Sequence, residues 1–224
     1  MKRNGERFLK EDEIVSLPFD ETTHIVSENH FYKSEGYYAL VKNEVSGVRT
    51  LPRSSDVIDA YVVPICLEKA KLEGIDVCDW EISYSYAKPP CIIYGLNYFS
   101  TPDQFIVASD QDQVRHAVKH VTNNGRYPFC YQPLRDGEKP FKATAVFGDL
   151  AKQKDERLVD LAKKVYDVFS IPLVTILYVR RDGIPRLSSL GPVKYSKLTK
   201  QEREVLGKYL DAKWQPFEGD AHDV

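Results

Sequence analysis

The segment Tyr32-Lys33-Ser34-Glu35-Gly36-Tyr37-Tyr38 combines the residue types that a helix N-terminus needs to hold an anion. A serine in the capping position leaves the first backbone N–H groups pointing outward at the positive end of the helix dipole, and Gly36 lets a ligand approach closely. A phosphate or a carboxylate would fit. The same residues also suit plain packing, with Ser34 as cap, Tyr37 and Tyr38 turned inward and Gly36 relieving a crowded crossing.

Phe147-Gly148-Asp149 is a second candidate, because it sets a glycine and a carboxylate at the edge of an apolar strand, where α/β proteins build ligand sites. Asn123-Asn124-Gly125-Arg126 has the same character and reads equally as an ordinary turn. Arg180, Arg181 and Arg186, followed by Lys194 and Lys197, form a basic edge that would suit a phosphate backbone or an acidic partner, or else keep a sheet edge solvated. No aromatic platform is interleaved with them, so nucleic acid is not the expected partner.

The sequence has no G-x-G-x-x-G, no G-x-x-x-x-G-K-[ST], no H-E-x-x-H and no G-x-S-x-G. Five scattered histidines and four cysteines without a C-x-x-C pair give no metal site; His116 and His120 read as two solvent-facing helix residues. Cys66, Cys78, Cys91 and Cys130 sit in apolar surroundings and are expected to be reduced core residues.

The elements that must position these residues follow from apolar periodicity. Thr22 to Val26 reads as a strand, and a helix starts near Ser34 and stops at Gly47. Pro64 to Gly74 reads as a helix, while Ile82 to Tyr86 and Cys91 to Tyr94 read as strands of one central sheet. Ser109 or Asp110 caps a helix through Val121. Asp155 to Phe169 is an amphipathic helix, Pro172 to Val179 a strand, Asp182-Gly183 a type I′ hairpin turn, and Thr199-Lys200-Gln201-Glu202 a capping box that opens the last helix. The expected class is mixed α/β, bordering on α+β: a single sheet of mixed strands flanked by helices, ending in a hairpin and a helix. Residues 1–20 are expected as a loosely ordered lead-in, 21–214 as one domain, and 215–224 as a disordered tail.

The chain has 224 residues, of which 42% are hydrophobic and 29% charged, which is enough to bury one sizeable core. A formal charge of −2 offers no global attraction to nucleic acid or anionic lipid. The start, Met1-Lys2-Arg3-Asn4, leads into acidic residues rather than an apolar stretch, so no membrane is expected and the default location is cytoplasmic.

Two blocks carry a family resemblance. Tyr32-x-Ser34-x-Gly36-Tyr37-Tyr38-x-Leu40, with Glu44, Gly47, Leu51-Pro52 and Ile58-Asp59, resembles the first signature of the domain found N-terminal to RimK-like ATP-grasp ligases. Phe147-Gly148, the helix Arg157 to Phe169, Pro172-Leu173 and the hairpin through Arg181-Asp182-Gly183 look like its second half. The resemblance spans roughly half of the chain. It implies an α/β domain that accompanies an amide-forming ligase using ATP and magnesium to join a carboxylate to an amine.

Three departures shape what is expected. No ATP-grasp segment follows Trp214, so ligase activity is assigned to a separate subunit, and ATP and magnesium enter only through that partner ligase. The stretch at about 91–141 is longer than in the family and is expected to be an inserted subelement. Where the family tends to have arginines, this chain has Glu28, Ser46 and Asp149, so an anion held by arginine there is held differently here or not at all.

The leading expectation is an accessory module for peptide or metabolite modification. It would recognise a small anionic ligand or a peptide through Tyr32, Ser34, Gly36, Tyr37, Tyr38, Phe147, Gly148 and Asp149. One alternative is a stand-alone enzyme acting on a small anionic substrate, with Tyr32, Tyr38, Asp149 and His30 as proton-transfer groups. Another is an RNA-associated or protein-interaction module using the basic hairpin.

Overall fold

The computed structural model describes residues 9–216 apart from 102, 152 and 214, and side chains as far as 211. Val15-Ser16-Leu17-Pro18-Phe19 alternates apolar and polar positions, and it forms β1 (Val15–Phe19), which turns through Asp20 into β2 (Thr22–Val26). Part of the expected loose lead-in at 1–20 is thus a strand, while residues 1–8 lie outside the described residues. Val15 and Leu17 are buried, so the period-two pattern outweighs the charged flanks.

Ser34 caps α1 (Glu35–Val45), its Oγ accepting from the Tyr37 N–H, and Gly47 leaves the helix at φ 79°. A short β3 (Thr50–Leu51) then runs parallel to β2. Two consecutive helices follow, α2 (Ser54–Tyr61) and α3 (Val63–Leu72), with Pro64 in the first turn of α3, where no N–H is needed.

Next come β4 (Glu81–Ser83), β5 (Cys91–Gly95), β6 (Phe105–Ala108), α4 (Gln111–Val121) and β7 (Phe129–Pro133). Asp110 caps α4 by accepting from the Gln113 N–H at 2.8 Å. The chain continues through β8 (Pro140–Val146), β9 (Asp149–Leu150), α5 (Glu156–Phe169), β10 (Leu173–Arg181) and β11 (Ile184–Gly191). Asp182 and Gly183 both take positive φ, 55° and 76°, as a type I′ turn requires. In the capping box that opens α6 (Lys200–Lys213), the Thr199 N–H donates to Glu202 Oε2 at 2.7 Å and the Glu202 N–H to Thr199 Oγ1 at 3.3 Å. The last described strand is β12 (Gln215–Pro216), which pairs with β1 inside the span expected to be a disordered tail; 217–224 lie outside the described residues.

The class is mixed α/β, but the expected single sheet is three, each four-stranded among the described residues: β12-β1-β2-β3, β11-β10-β8-β9 and β4-β7-β5-β6. Local alternation marks a strand without naming its neighbour, and here β7 and β8, adjacent in sequence, join different sheets. The span expected as an insert, 91–141, does not coincide with one sheet. Its sheet takes a fourth strand from Glu81–Ser83, outside that span, while β8 at Pro140–Val146 belongs to the β10 sheet.

The largest core cluster lies between the β10 sheet and α2, α3 and α5, and it receives Ile92, Tyr94 and Cys130 from the third sheet. The opposite face of that third sheet, with Cys91, Ile93, Phe129 and Tyr131, packs on α4. A second cluster joins Val15, Leu17 and Phe147 to Leu206 and Leu210 of α6. Among the described residues no helix is long and apolar enough to cross a membrane.

Candidate functional site

Where β5 ends, the chain turns sharply into the loop 96–104. A Cβ on Gly95 would overlap Ser100 Oγ, so only glycine lets the loop fold back this closely. Asn97 shapes the turn from both ends of its amide: Oδ1 accepts from the Phe99 N–H at 2.8 Å and Nδ2 donates to the Val121 carbonyl at 2.5 Å. The loop thus leans on the C-terminal end of α4.

Between this loop and α2 lies a cavity of about 180 Å³. Val57, Ile58 and Tyr61 of α2 form one wall, Tyr94 and Gly95 of β5 another, and Tyr32 and Asn97 stand among its remaining lining residues. Among the described residues, none of the thirteen that line it carries a charge.

The Tyr94 hydroxyl is held away from solvent by a relay of buried side chains. It lies 2.6 Å from Ser188 Oγ, which itself donates to Gln132 Oε1 at 2.5 Å, so the tyrosine is the donor to the serine. Gln132 Nε2 closes the loop on the Ser188 carbonyl at 2.7 Å. Burial drives the Tyr94 phenol well above its ordinary value and keeps it neutral, against the smaller opposing effect of its hydrogen bond to Ser188. Burial pushes the Tyr61 phenol up too, opposed by the nearby His30 backbone and helped by the Asp103 carboxylate, and its hydroxyl makes no well-formed hydrogen bond among the described residues.

Of the residues named from sequence, Tyr32 lines this cavity, and its hydroxyl reaches the Tyr98 carbonyl at 3.5 Å. Lys33 ties the same turn to the loop through the same carbonyl. Ser34, Gly36 and Tyr37 are engaged in packing. Ser34 Oγ donates to the Asn29 carbonyl at 2.8 Å, and a Cβ on Gly36 would collide with that carbonyl and lie 2.6 Å from Ser27 Oγ. Gly36 therefore serves a crowded crossing. Tyr37 packs against the main core while Tyr38 is exposed, against the expectation that both turn inward.

Phe147, Gly148 and Asp149 lie in another part of the molecule. Phe147 and Gly148 form the β8–β9 reversal with φ of 49° and 79°, and the Phe147 ring stacks on Tyr209 at 4.3 Å between centroids. Asp149 accepts from the Tyr209 hydroxyl at 2.8 Å. Phe147 belongs to the α6 cluster and Tyr37 packs on the main one, so the two candidate turns pack in different clusters. His30 is fully buried: Nε2 donates to the Ile25 carbonyl at 3.0 Å, and burial pushes its pKa down to about 4. The four proton-transfer candidates, Tyr32, Tyr38, Asp149 and His30, thus sit in four different environments.

The basic edge is largely neutralised. Arg180 pairs with Asp155, and Arg181 bonds Glu138 at 3.0 and 3.2 Å, Asp79 at 2.8 Å and the Pro133 carbonyl at 3.3 Å. Arg181 is buried, and Arg186 Nε is enclosed with no partner among the described residues. Such arginines are structural ties, which a charge count along the sequence does not separate from an open patch. All four cysteines are free and buried; burial pushes the thiols up, to about 11 for Cys91 and about 12 for Cys78 and Cys130. Among the described residues no group of three or more His, Cys, Asp or Glu could hold a metal ion.

Sequence reading missed Tyr61, Tyr94, Asn97, Gln132 and Ser188. A signal was present for two of them. Gly95-Leu96-Asn97 directly follows an apolar strand with turn chemistry, and Gln132 stands as a polar residue among apolar neighbours in Phe129–Pro133.

No protein-family model matches the chain, and no curated protein matches it. Solved structures do. The D-alanine–D-alanine ligase of Helicobacter pylori is 15% identical with a TM-score of 0.56, covering 77% of this chain and 64% of the ligase. A RimK-domain ATP-grasp protein of Sphaerobacter thermophilus is 13% identical with a TM-score of 0.56, covering 77% of this chain and 76% of its own. The ATP-grasp ligase PsnB, solved with a precursor variant, Mg and ADP, is 14% identical with a TM-score of 0.51, covering 77% and 65%. At these identities the likeness is one of fold. The chain spans about two thirds of the length of the ligases it matches.

Proposed function

We propose that this chain is an accessory recognition module working beside an ATP-grasp ligase, and that the cavity between α2 and the 96–104 loop receives a neutral, apolar group of the molecule to be modified. The fold similarity to ATP-grasp ligases supports the general setting. The observation that carries the site is the wholly uncharged lining of a cavity of about 180 Å³. An apolar cavity of about 150 Å³ accepts benzene in a protein interior, so one aromatic or branched aliphatic group fills this one.

Phosphoryl transfer is a matter of cations placed around phosphate oxygens. Among the described residues the lining offers no cation, and ATP and magnesium are accordingly assigned to the partner ligase. The same argument moves the ligand from anionic to neutral, because Glu35 places a carboxylate in the first turn of α1, next to the amides that an anion would use.

Ile58 lines the mouth and is 42% exposed, so Ile58→Trp fills the cavity with little disturbance of the core. The purified chain is expected to recover a ligase from its native cells and to raise that ligase's turnover, and Ile58→Trp to abolish the increase while binding the ligase normally. Recovery of no ligase, together with unchanged activity of a neighbouring ligase on addition of the chain, overturns the proposal.

A further inference from the structure

Three aromatic rings gather around one ammonium where the turn before α1 meets the loop after β5. Lys33 Nζ lies over the Tyr98 ring at 3.3 Å from its centroid, over Tyr32 at 5.3 Å and over Phe99 at 5.8 Å. The rings are steeply inclined to one another. Tyr98 and Phe99 stand at 90° with centroids 5.6 Å apart, and Tyr32 and Tyr98 at 63° with centroids 5.9 Å apart. Rings at such angles wall one point from more than one side, and the negative potential of their faces attracts a cation placed there.

Lys33 holds this place loosely. Its side chain is exposed, and among the described residues its ammonium forms no ion pair and one hydrogen bond, to the Tyr98 carbonyl at 2.8 Å. A primary ammonium carries three N–H donors and is strongly hydrated. The rings supply no ordinary acceptor, so its remaining donors depend on water. A quaternary ammonium has no N–H to leave unpaired, and its methyl groups carry the positive charge against the ring faces. Tyr98 and Phe99 are 62% and 73% exposed, so such a cation reaches them from solvent once the lysine swings aside.

We infer that Tyr32, Tyr98 and Phe99 form an aromatic cage for a quaternary ammonium group of the choline type, which Lys33 fills as an internal stand-in when no such ligand is bound. This goes beyond the cavity reading and does not depend on it. Because the lysine competes from within the same chain, the apparent affinity of the wild type is lowered to the extent that Lys33 occupies the cage.

The test is titration of the purified full chain with choline and with 3,3-dimethyl-1-butanol, its uncharged isostere, followed by the amide NMR shifts of residues 33, 98 and 99. Lys33→Ala removes the competition of an exposed cation–π contact and is expected to bind choline about threefold more tightly than the wild type does. The same variant should prefer choline to the isostere. Tyr98→Leu in the Lys33→Ala background should erase that preference, because the nearest ring face is gone while an apolar side chain remains. Choline binding to Lys33→Ala that is unchanged or weaker overturns the inference, since the rings then gather only around their own lysine. Equal binding of choline and isostere overturns it by reducing the rings to an apolar patch, and so does the absence of any shift in both proteins. None of these results touches the cavity reading, which Ile58→Trp tests separately.

Discussion

The Lys33 ammonium lies 3.3 Å from the centre of the Tyr98 ring and donates to the Tyr98 backbone carbonyl at 2.8 Å. One side chain thereby fastens the loop after β5 to the turn that precedes α1. An exposed cation–π contact contributes about 0.5–1 kcal/mol, so Lys33→Met should lower global stability by no more than about that amount. Its larger effect should be local, with faster hydrogen exchange at the amides of Phe99 and Ser100. Unaltered exchange there would show that the lysine does not hold the loop.

Two glycines on helices should respond in opposite directions. Gly36→Ala forces a methyl group against the Asn29 carbonyl and Ser27, and overpacking of this kind costs about 1–3 kcal/mol. Gly207→Ala, inside α6 with nothing within 4 Å of the added methyl, should instead stabilise by about 0.5–1 kcal/mol. Urea midpoints of the two variants check both signs.

His30 makes stability depend on pH. Its folded-state value of about 4 lies below the ordinary 6.5, so the unfolded chain takes up the proton first. This contribution is complete above pH 6.5 and is lost as the pH falls from 6.5 to about 4, amounting to roughly 3 kcal/mol. His24, also pushed down by burial, acts in the same direction. Comparing urea midpoints of wild type and His30→Met from pH 8 to pH 4 isolates the His30 part; parallel curves would contradict it.

Arg181 and Glu138 are each 9% exposed in their side chains, which makes this pair a buried one although Asp79 stands in solvent. The arginine's hydrogen bonds hold the Glu138 carboxyl below its ordinary range, against the opposing effect of burial. Arg181→Ala strands that carboxylate and should cost about 3–5 kcal/mol. Arg181→Met combined with Glu138→Leu should recover most of the loss, whereas Asp79→Ala should change stability by less than about 1 kcal/mol. Thermal unfolding of the three variants separates the buried tie from the exposed one.

The features legible in the sequence are those decided within one turn or one hairpin. The Ser34 cap, the Thr199–Glu202 capping box, the Asp182-Gly183 reversal and the amphipathic face of α5 all depend on residues a few positions apart. The division into three sheets and the cavity depend on distant pairs. Tyr94 meets Ser188 across 94 positions and Gln132 meets it across 56, and nothing in local alternation announces either. Tyr32 was within reach because it belongs to the motif, but its neighbours in the motif serve packing. Arg180 and Arg181 misled for a related reason, since their neutralising partners Asp155 and Glu138 lie 25 and 43 positions away.

The Tyr94–Ser188–Gln132 relay has a consequence for how this protein can change over evolutionary time. A lineage that lost the Ser188 hydroxyl alone would strand the Tyr94 phenol and the Gln132 Oε1 in an apolar interior, each costing about 1–3 kcal/mol. Viable drift at this joint therefore has to pass through compensated sets of replacements on β5, β7 and β11. The three positions should vary together across any collection of relatives or not at all.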